Sequence, residues 1–156
     1  MTPEQLGDLI SPITNHLNGR LLDKDLEVEL NKSFPAGGEL FQRIFAACQD
    51  AIEAGWMCSR EAGGIKFGRV IKPDAKLYGY SVDVVEMNNV RGPHHRHPNG
   101  EIDMVMPLTT TAKFDGHGAG WVVYGPDSAH YPTVRDGKAL VLYLLPKGAI
   151  EFTKAN

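Results

Sequence analysis

The densest group of residues able to do chemistry is the stretch Gly92-Pro-His-His-Arg-His-Pro-Asn-Gly-Glu101. In an extended segment, side chains two positions apart point the same way, so His95 and His97 share one face about 7 Å apart. The turn at 98–100 returns the chain and makes Glu101 the first residue of the next strand. Two imidazoles and one carboxylate can therefore converge on one point, where they could hold a metal ion.

A fourth ligand is predicted at His130, which follows the Gly125-Pro126 turn and enters another strand. Three histidines and one glutamate suit Mn, Fe, Ni, Zn or Cu, and the ligand types do not choose among these divalent metals. Without a metal, the same residues could act as general acids and bases. Asp103 shares the inward face of Glu101 and is either a buried proton carrier or a charged residue at the rim.

The remaining histidines are predicted to lie outside this site. His94 and Arg96 have the opposite parity to His95 and His97 and should point away from it. His117 lies in a glycine-rich loop and His16 near the end of the first predicted helix, so both are expected at the surface.

The elements that must position these side chains form two regions. Residues 1–55 are predicted to be a helical N-terminal layer, with helices from Thr2, over 23–32 and over 39–54, and with Pro12 kinking or ending the first helix. Residues 64–156 have short segments rich in Val, Tyr and Ile between turn residues, a pattern typical of a β-sandwich or barrel. The expected fold is mainly β, a single domain over 1–156.

Composition excludes several classes of protein. The chain has 156 residues and a net charge of −3, which argues against nucleic acid as a partner. There is neither a membrane-length apolar run nor a signal-peptide pattern, and two cysteines are too few for a disulfide scaffold, so a cytoplasmic protein is expected. The glycine pairs lack the strand-to-helix context of a phosphate-binding loop, so no nucleotide cofactor is expected.

These residues resemble the two motifs of the cupin superfamily, which are small antiparallel β-barrels or jelly rolls. His95, His97 and Glu101 match the first motif with its three-residue spacing, although Gly92 is closer to the histidine pair than usual. In the second motif Pro126 is one residue closer than usual to His130. Ser128 replaces a glycine there, and Val134 replaces an asparagine. The resemblance implies a metal held by His95, His97, Glu101 and His130.

The whole chain is similar to the 4-hydroxylaminobenzoate lyase family, through its N-terminal helices and through the segments GGIKFGRVIKP, HHRHPNGEIDMVMP and ALVLYLLPKGAIEF. The resemblance implies conversion of 4-hydroxylaminobenzoate, a small aromatic carboxylate, to 3,4-dihydroxybenzoate (protocatechuate) and ammonia in bacterial nitroaromatic degradation. Glu101, Asp103 and His130 would then be catalytic. Arg69 would bind the carboxylate in preference to Lys66, and Tyr124 and Tyr143 are candidates to contact the ring.

Two other functions stay open on the sequence. One is a metal-dependent cupin dioxygenase that acts on an aromatic acid, which oxygen consumption would reveal. The other is a non-catalytic cupin that binds a small molecule, in which replacing His95 or His97 would leave ligand affinity intact. A homodimer is expected in each case, because closed symmetric pairs are the commonest soluble oligomers.

Overall fold

The computed structural model describes residues 1–153, which begin with three helices: α1 (Pro3–Leu17), α2 (Lys24–Ser33) and α3 (Glu39–Glu53). Helix α1 begins with a capping box. The backbone N–H of Gln5 donates to Thr2 Oγ1, and the backbone N–H of Thr2 donates to Gln5 Oε1. The predicted helical layer is therefore confirmed. None of the helices in this part of the chain is both long and apolar enough to span a membrane.

Pro12 does not end α1, which continues to Leu17. A proline has no N–H to donate to the carbonyl four residues earlier, which for Pro12 is that of Asp8. The Ser11 hydroxyl donates to the Asp8 carbonyl instead, over 3.1 Å. Because the orphaned acceptor is satisfied locally and Ile10, Ile13 and Leu17 are buried, the helix tolerates the proline.

Within residues 1–153 ten strands follow the helices, and every pairing among these strands is antiparallel. Their bounds are β1 Arg60–Ala62, β2 Ile65–Ile71, β3 Tyr80–Arg91, β4 His95–His97, β5 Glu101–Pro107, β6 Lys113–Phe114, β7 Gly120–Tyr124, β8 Ser128–His130, β9 Thr133–Pro146 and β10 Glu151–Phe152. The mainly β prediction is confirmed.

The large sheet has the order β1-β2-β3-β9-β5-β7, with β6 also paired to β9. One face packs on the helices through buried residues such as Val84, Leu142 and Met104. The other face carries a second apolar cluster that includes Met87, Val141 and Tyr143. Because successive side chains of a strand point to opposite faces, one face of the large sheet packs on the helices and the other is available to the site.

An antiparallel β-barrel or jelly roll was predicted over 64–156. Within residues 1–153 the sheets are not closed into a barrel, so the barrel alternative is wrong; positions 154–156 lie outside the described residues. Strands β10, β4 and β8 form a separate three-stranded sheet that shares no strand with the large one. Its strands are at most three residues long. Pro93, Pro98 and Pro132 flank them, and because proline has no N–H to donate, the hydrogen-bonded ladder stops there.

Helix α2 protects the exposed edge of the large sheet at β7. Asn31 acts as a surrogate strand, since its Nδ2 donates to the Trp121 carbonyl and its Oδ1 accepts from the Trp121 amide, both over 2.9 Å. Glu27 Oε1 accepts from the Val123 amide over 3.0 Å. A Cβ on Gly120, whose φ is 139°, would lie 2.5 Å from Asn31 Oδ1, so glycine permits this approach.

Replacing Asn31 by alanine is expected to lower the free energy of unfolding by roughly 2–3 kcal/mol, because it leaves both backbone groups of buried Trp121 without a partner. Urea denaturation measures the effect. The control is Asn88→Ala at an exposed position of β3, which should change stability by less than about 0.5 kcal/mol. Equal midpoints for the two variants would contradict the surrogate-strand role.

Candidate functional site

The predicted histidine pair lies on β4, the central strand of the small sheet. His95 and His97 are buried on its inner face, whereas Arg96 points outward to pair with Asp127 and Glu151. In the strand register His95 lies opposite His130 on β8. The small sheet thus brings the three histidines together, as the alternation of the motif predicts.

Glu101, the first residue of β5, reaches this group from the large sheet. Its Oε1 lies 3.2 Å from His95 Nε2, and its Oε2 lies 3.3 Å from His97 Nε2 and 3.5 Å from His130 Nε2. The Nε2 atoms of His95 and His130 are 3.1 Å apart. We call these four residues the His₃Glu cluster.

The donor atoms of the His₃Glu cluster fit a divalent metal. Three imidazole nitrogens and one carboxylate oxygen converge so that all lie within 4.8 Å of one another. His97 Nε2 and Glu101 Oε2 are buried without a hydrogen-bond partner among the described residues. Unpaired buried donors and acceptors are costly, and a cation between them would satisfy both. The cluster could therefore hold a metal, whose identity the donor types leave open.

The ring orientation of His97 depends on Ser128, one of the positions that departs from the cupin pattern. The Ser128 hydroxyl donates to the Gly125 carbonyl over 2.6 Å, so its oxygen accepts from His97 Nδ1 at 2.9 Å. A proton on Nδ1 leaves the lone pair of Nε2 directed at Glu101. This sequence departure therefore supplies the hydrogen-bond partner of one cluster histidine.

The cluster keeps its charges despite burial. Burial alone raises the pKa of Glu101, but the close contacts of its carboxylate with His130, His95 and His97 outweigh burial and hold the pKa well below the usual range. Burial lowers the pKa of His130, yet its hydrogen bonds to Asp115 and Glu101 raise that pKa to about 9. Glu101 is thus an anion at neutral pH, as a metal ligand must be.

Asp103 is fully buried two residues beyond Glu101, so the rim alternative is wrong. Neither of its carboxylate oxygens has a hydrogen-bond partner among the described residues. Burial, and then the negative charge of Glu101, raise its pKa well above the usual range. In the strand register Asp103 lies opposite Tyr143, one strand away from the cavity described below.

A cavity of about 340 Å³ opens beside the cluster. Its walls are mostly apolar, with Ile65, Phe67, Val85, Met87, Ile150 and Phe152 among them. His95 and Tyr143 lie in the same wall, and Arg69 and Asp83 line it as well. Burial and the nearby carboxylates raise the pKa of Tyr143 well above its usual value, so its hydroxyl stays protonated. The volume and lining suit a single aromatic ring with polar substituents.

Arg69 lines this cavity with its guanidinium already partly engaged. Nε donates to Asp83 Oδ1 over 2.8 Å, and Nη2 donates to Asp83 Oδ2 over 3.2 Å and to the Gly148 carbonyl over 3.0 Å. The pair of guanidinium N–H groups that suits a carboxylate is therefore already bound to Asp83. Lys66, the alternative cation, pairs with Glu86 instead.

The Tyr124 hydroxyl donates to Asp115 Oδ2, and its ring lies 4.4 Å from the His130 ring, centre to centre. Asp115 also bonds His130 Nδ1 over 2.6 Å. Sequence reasoning missed Asp115, because an Asp-Gly pair in a loop is an ordinary turn signal and nothing local relates it to a histidine fifteen residues later.

The other histidines lie away from the cluster. His94 Nδ1 lies 2.6 Å from Thr153 Oγ1, and the His94 ring packs against Tyr131. His117 belongs to a turn in which its amide donates to the Phe114 carbonyl. His16 lies 3.1 Å from Glu29 on the helical layer.

Fold and site together define a mainly β protein whose two antiparallel sheets hold a buried His₃Glu cluster beside an apolar cavity. The family model described as PnbB, 4-hydroxylaminobenzoate lyase, matches residues 8–152. A 4-hydroxylaminobenzoate lyase of Nocardioides sp. (strain LMS-CY) is 36% identical over 97% of this chain and 95% of that protein. One of Pseudomonas putida is 31% identical over 82% of each. The chain belongs to the 4-hydroxylaminobenzoate lyase family and is an enzyme, a lyase.

Solved structures with a similar course of the chain include two proteins of low sequence identity. An RmlC-like cupin of Ralstonia eutropha is 12% identical, with a TM-score of 0.45 over 62% of this chain and 64% of its own. The DMSP lyase DddQ of Ruegeria pomeroyi is 18% identical, with a TM-score of 0.40 over 69% of this chain and 68% of its own.

Proposed function

We propose that this lyase converts 4-hydroxylaminobenzoate to 3,4-dihydroxybenzoate and ammonia in nitroaromatic degradation. The N–O bond breaks as its hydroxyl leaves with a proton, and a water oxygen adds to the neighbouring ring carbon. A second water hydrolyses the ring imine to release ammonia, and loss of a ring proton restores aromaticity. One water is consumed in total, and no external oxidant or reductant is needed.

The observation that carries the proposal is that His95 belongs both to the His₃Glu cluster and to the wall of the apolar cavity. A ring bound against Phe67 and Val85 would have one end at the cluster and the other near Arg69. The substrate carries polar groups at opposite ends of its ring, which matches this arrangement. We place the carboxylate near Arg69 and the hydroxylamino group near His95 and Tyr143.

In this proposal His95, His97, Glu101 and His130 hold a divalent metal, which when bound supplies Lewis acidity for departure of the hydroxyl and for activation of water. Tyr143 keeps its proton and can donate a hydrogen bond to the substrate nitrogen or oxygen. Asp103, protected from water and without a competing partner, is the proposed proton carrier. Glu101 and His130 carry protons themselves if the enzyme works without a metal.

Replacing Arg69 by methionine is expected to raise KM for 4-hydroxylaminobenzoate by about 10- to 100-fold with a smaller change in kcat, because a hydrogen bond to a charged group contributes about 1.5–3 kcal/mol. Steady-state kinetics measure the split. The control is Arg96→Met, which removes an arginine from the outer face of β4 and should leave KM within about twofold. An unchanged KM in Arg69→Met would remove Arg69 from the substrate site.

The proposal is tested by incubating the purified, metal-replete protein with 4-hydroxylaminobenzoate under anaerobic conditions and without nicotinamide. We expect 3,4-dihydroxybenzoate and ammonia in equal amounts, measured by chromatography and an enzymatic ammonia assay. Absence of both products would refute the proposal. Turnover that requires oxygen, with oxygen consumed in each cycle, would identify a dioxygenase instead.

A homodimer and a cytoplasmic location stay predictions. Sedimentation equilibrium of the purified protein measures the first, and cell fractionation measures the second. Neither result affects the assignment of the cluster, because all four of its residues come from one chain.

A further inference from the structure

We propose that Asp115 is a positioning residue that fixes the imidazole of His130 in the orientation and tautomer that a metal requires. The inference rests on the metal site proposed above and adds a residue that the cluster motifs do not contain. Three observations support it: His130 lies on an edge strand, Asp115 accepts hydrogen bonds from His130 and Tyr124, and Thr133 fixes Asp115 in place.

His130 is the cluster residue with the weakest support from the backbone. His95 and His97 lie on β4, which has a strand on either side, and Glu101 lies on β5 inside the large sheet. His130 ends the three-residue edge strand β8, and its side chain is 13% exposed, whereas those of the others are 2% or less. Because the backbone holds His130 least firmly of the four residues, the orientation of its imidazole depends on side-chain contacts.

Asp115 provides that restraint from a different part of the chain. Its Oδ2 accepts from His130 Nδ1 over 2.6 Å and also from the Tyr124 hydroxyl. With the proton of the imidazole on Nδ1, the lone pair of Nε2 points at Glu101 and His95, where the metal would lie. A carboxylate that orients a ligating histidine also raises its basicity, which strengthens the metal–nitrogen bond.

Asp115 is held in place by its own backbone and by its second oxygen. Its amide donates to the Thr133 carbonyl over 2.8 Å, and its Oδ1 accepts from the Thr133 amide over 2.9 Å. Its φ is 47°, in the left-handed region that aspartate and asparagine adopt more readily than most residues. The carboxylate is thus fixed before any metal binds, as a residue that positions a ligand needs to be.

The test is Asp115→Asn, which keeps the size and the φ preference of the residue. Asp115 accepts from Thr133 on one oxygen and from His130 and Tyr124 on the other, and an amide has only one oxygen. If that oxygen stays with Thr133, the amide nitrogen faces His130 Nδ1, which must then accept, and the imidazole proton moves to Nε2, into the metal position.

We expect Asp115→Asn to bind Zn²⁺ about 10- to 100-fold more weakly than the native protein, measured by competition with a chromophoric chelator. In the zinc-loaded native protein, ¹H–¹⁵N correlation spectra of the histidine rings should show His130 protonated at Nδ1, and in the variant this signal should shift or disappear. A merely structural role would not move that signal. Asp115→Gly, in which glycine accommodates the positive φ, should weaken zinc binding to a similar extent.

The matched control is Asp136→Asn, the same charge change at an exposed residue with a φ of 64°. It should bind zinc within about twofold of the native protein. Native affinity in both Asp115 variants would overturn the inference and leave the lyase proposal untouched. A native protein that binds no zinc or cobalt would also overturn it, whereas the anaerobic turnover assay would still decide the lyase proposal.

Discussion

Replacing His97 by glutamine is expected to lower kcat/KM for 4-hydroxylaminobenzoate by about 10³-fold or more and to weaken binding of the proposed metal. Loss of a Lewis acid removes several kcal/mol of transition-state stabilisation, and each 1.36 kcal/mol is tenfold in rate. Glutamine retains most of the volume of the fully buried imidazole, so the substitution leaves little empty space and lowers the free energy of unfolding only slightly. Elemental analysis of the purified variant and steady-state kinetics measure the two effects.

The control is His94→Gln, the same substitution three positions earlier in the chain. His94 interacts with Thr153 and Tyr131 outside the cluster, so metal content and kcat/KM should both stay within about threefold of the native values. Full turnover by metal-free His97→Gln would contradict the metal role. If the chelated native protein also retained turnover, the four residues would act as acids and bases.

The local part of the site could be predicted because it is encoded within ten residues. The alternation of β4 and the turn at 98–100 place His95, His97 and Glu101 together through backbone geometry alone. His130 required a second motif, but the Gly125-Pro126 turn marked the start of its strand. One departure from that motif, Ser128, accepts a hydrogen bond from the ring of His97.

The rest of the site depends on contacts that no local pattern encodes. Asp115 directly follows β6, which pairs with the start of β9, and His130 lies three residues before β9 begins, so the pairing of β6 with β9 brings the two side chains together. The cavity requires the pairing of β2, β3 and β9, which join residues far apart in the chain. Pro93, Pro98 and Pro132 flank the short strands of the separate small sheet, and in the sequence these prolines are equally compatible with turns of a closed barrel.

Strand register also arranges polar groups in one row across the large sheet. Arg69 lies opposite Asp83, Asp83 opposite Tyr143, and Tyr143 opposite Asp103, so four adjacent strands each contribute one residue. The row passes from the partly exposed guanidinium at the cavity wall to the fully buried carboxyl beside Glu101. It is flanked by apolar residues such as Val85 and Val141. The proposed substrate would lie along the first three residues of this row.

Asp103, the last residue of the row, lowers the stability of the fold, which suggests that it is present for a chemical role. A fully buried carboxyl group without a hydrogen-bond partner among the described residues destabilises the fold. Residues of this kind are typical of active sites, where stability and activity conflict. We therefore expect Asp103→Asn to lower kcat by about 10²- to 10³-fold, the usual contribution of a positioned proton donor or acceptor. Steady-state kinetics at saturating substrate measure the loss.

The same variant separates a proton carrier from a residue that only shapes the site. Because asparagine has nearly the same size and cannot ionise, the fold and the metal content should be retained, and the melting temperature should stay equal or rise. KM should change by less than about threefold, since Asp103 lies behind Tyr143 rather than in the cavity wall. If the variant loses both metal and kcat, Asp103 supports Glu101 instead of carrying a proton. If kcat stays at the native value, Glu101 or His130 must carry the proton.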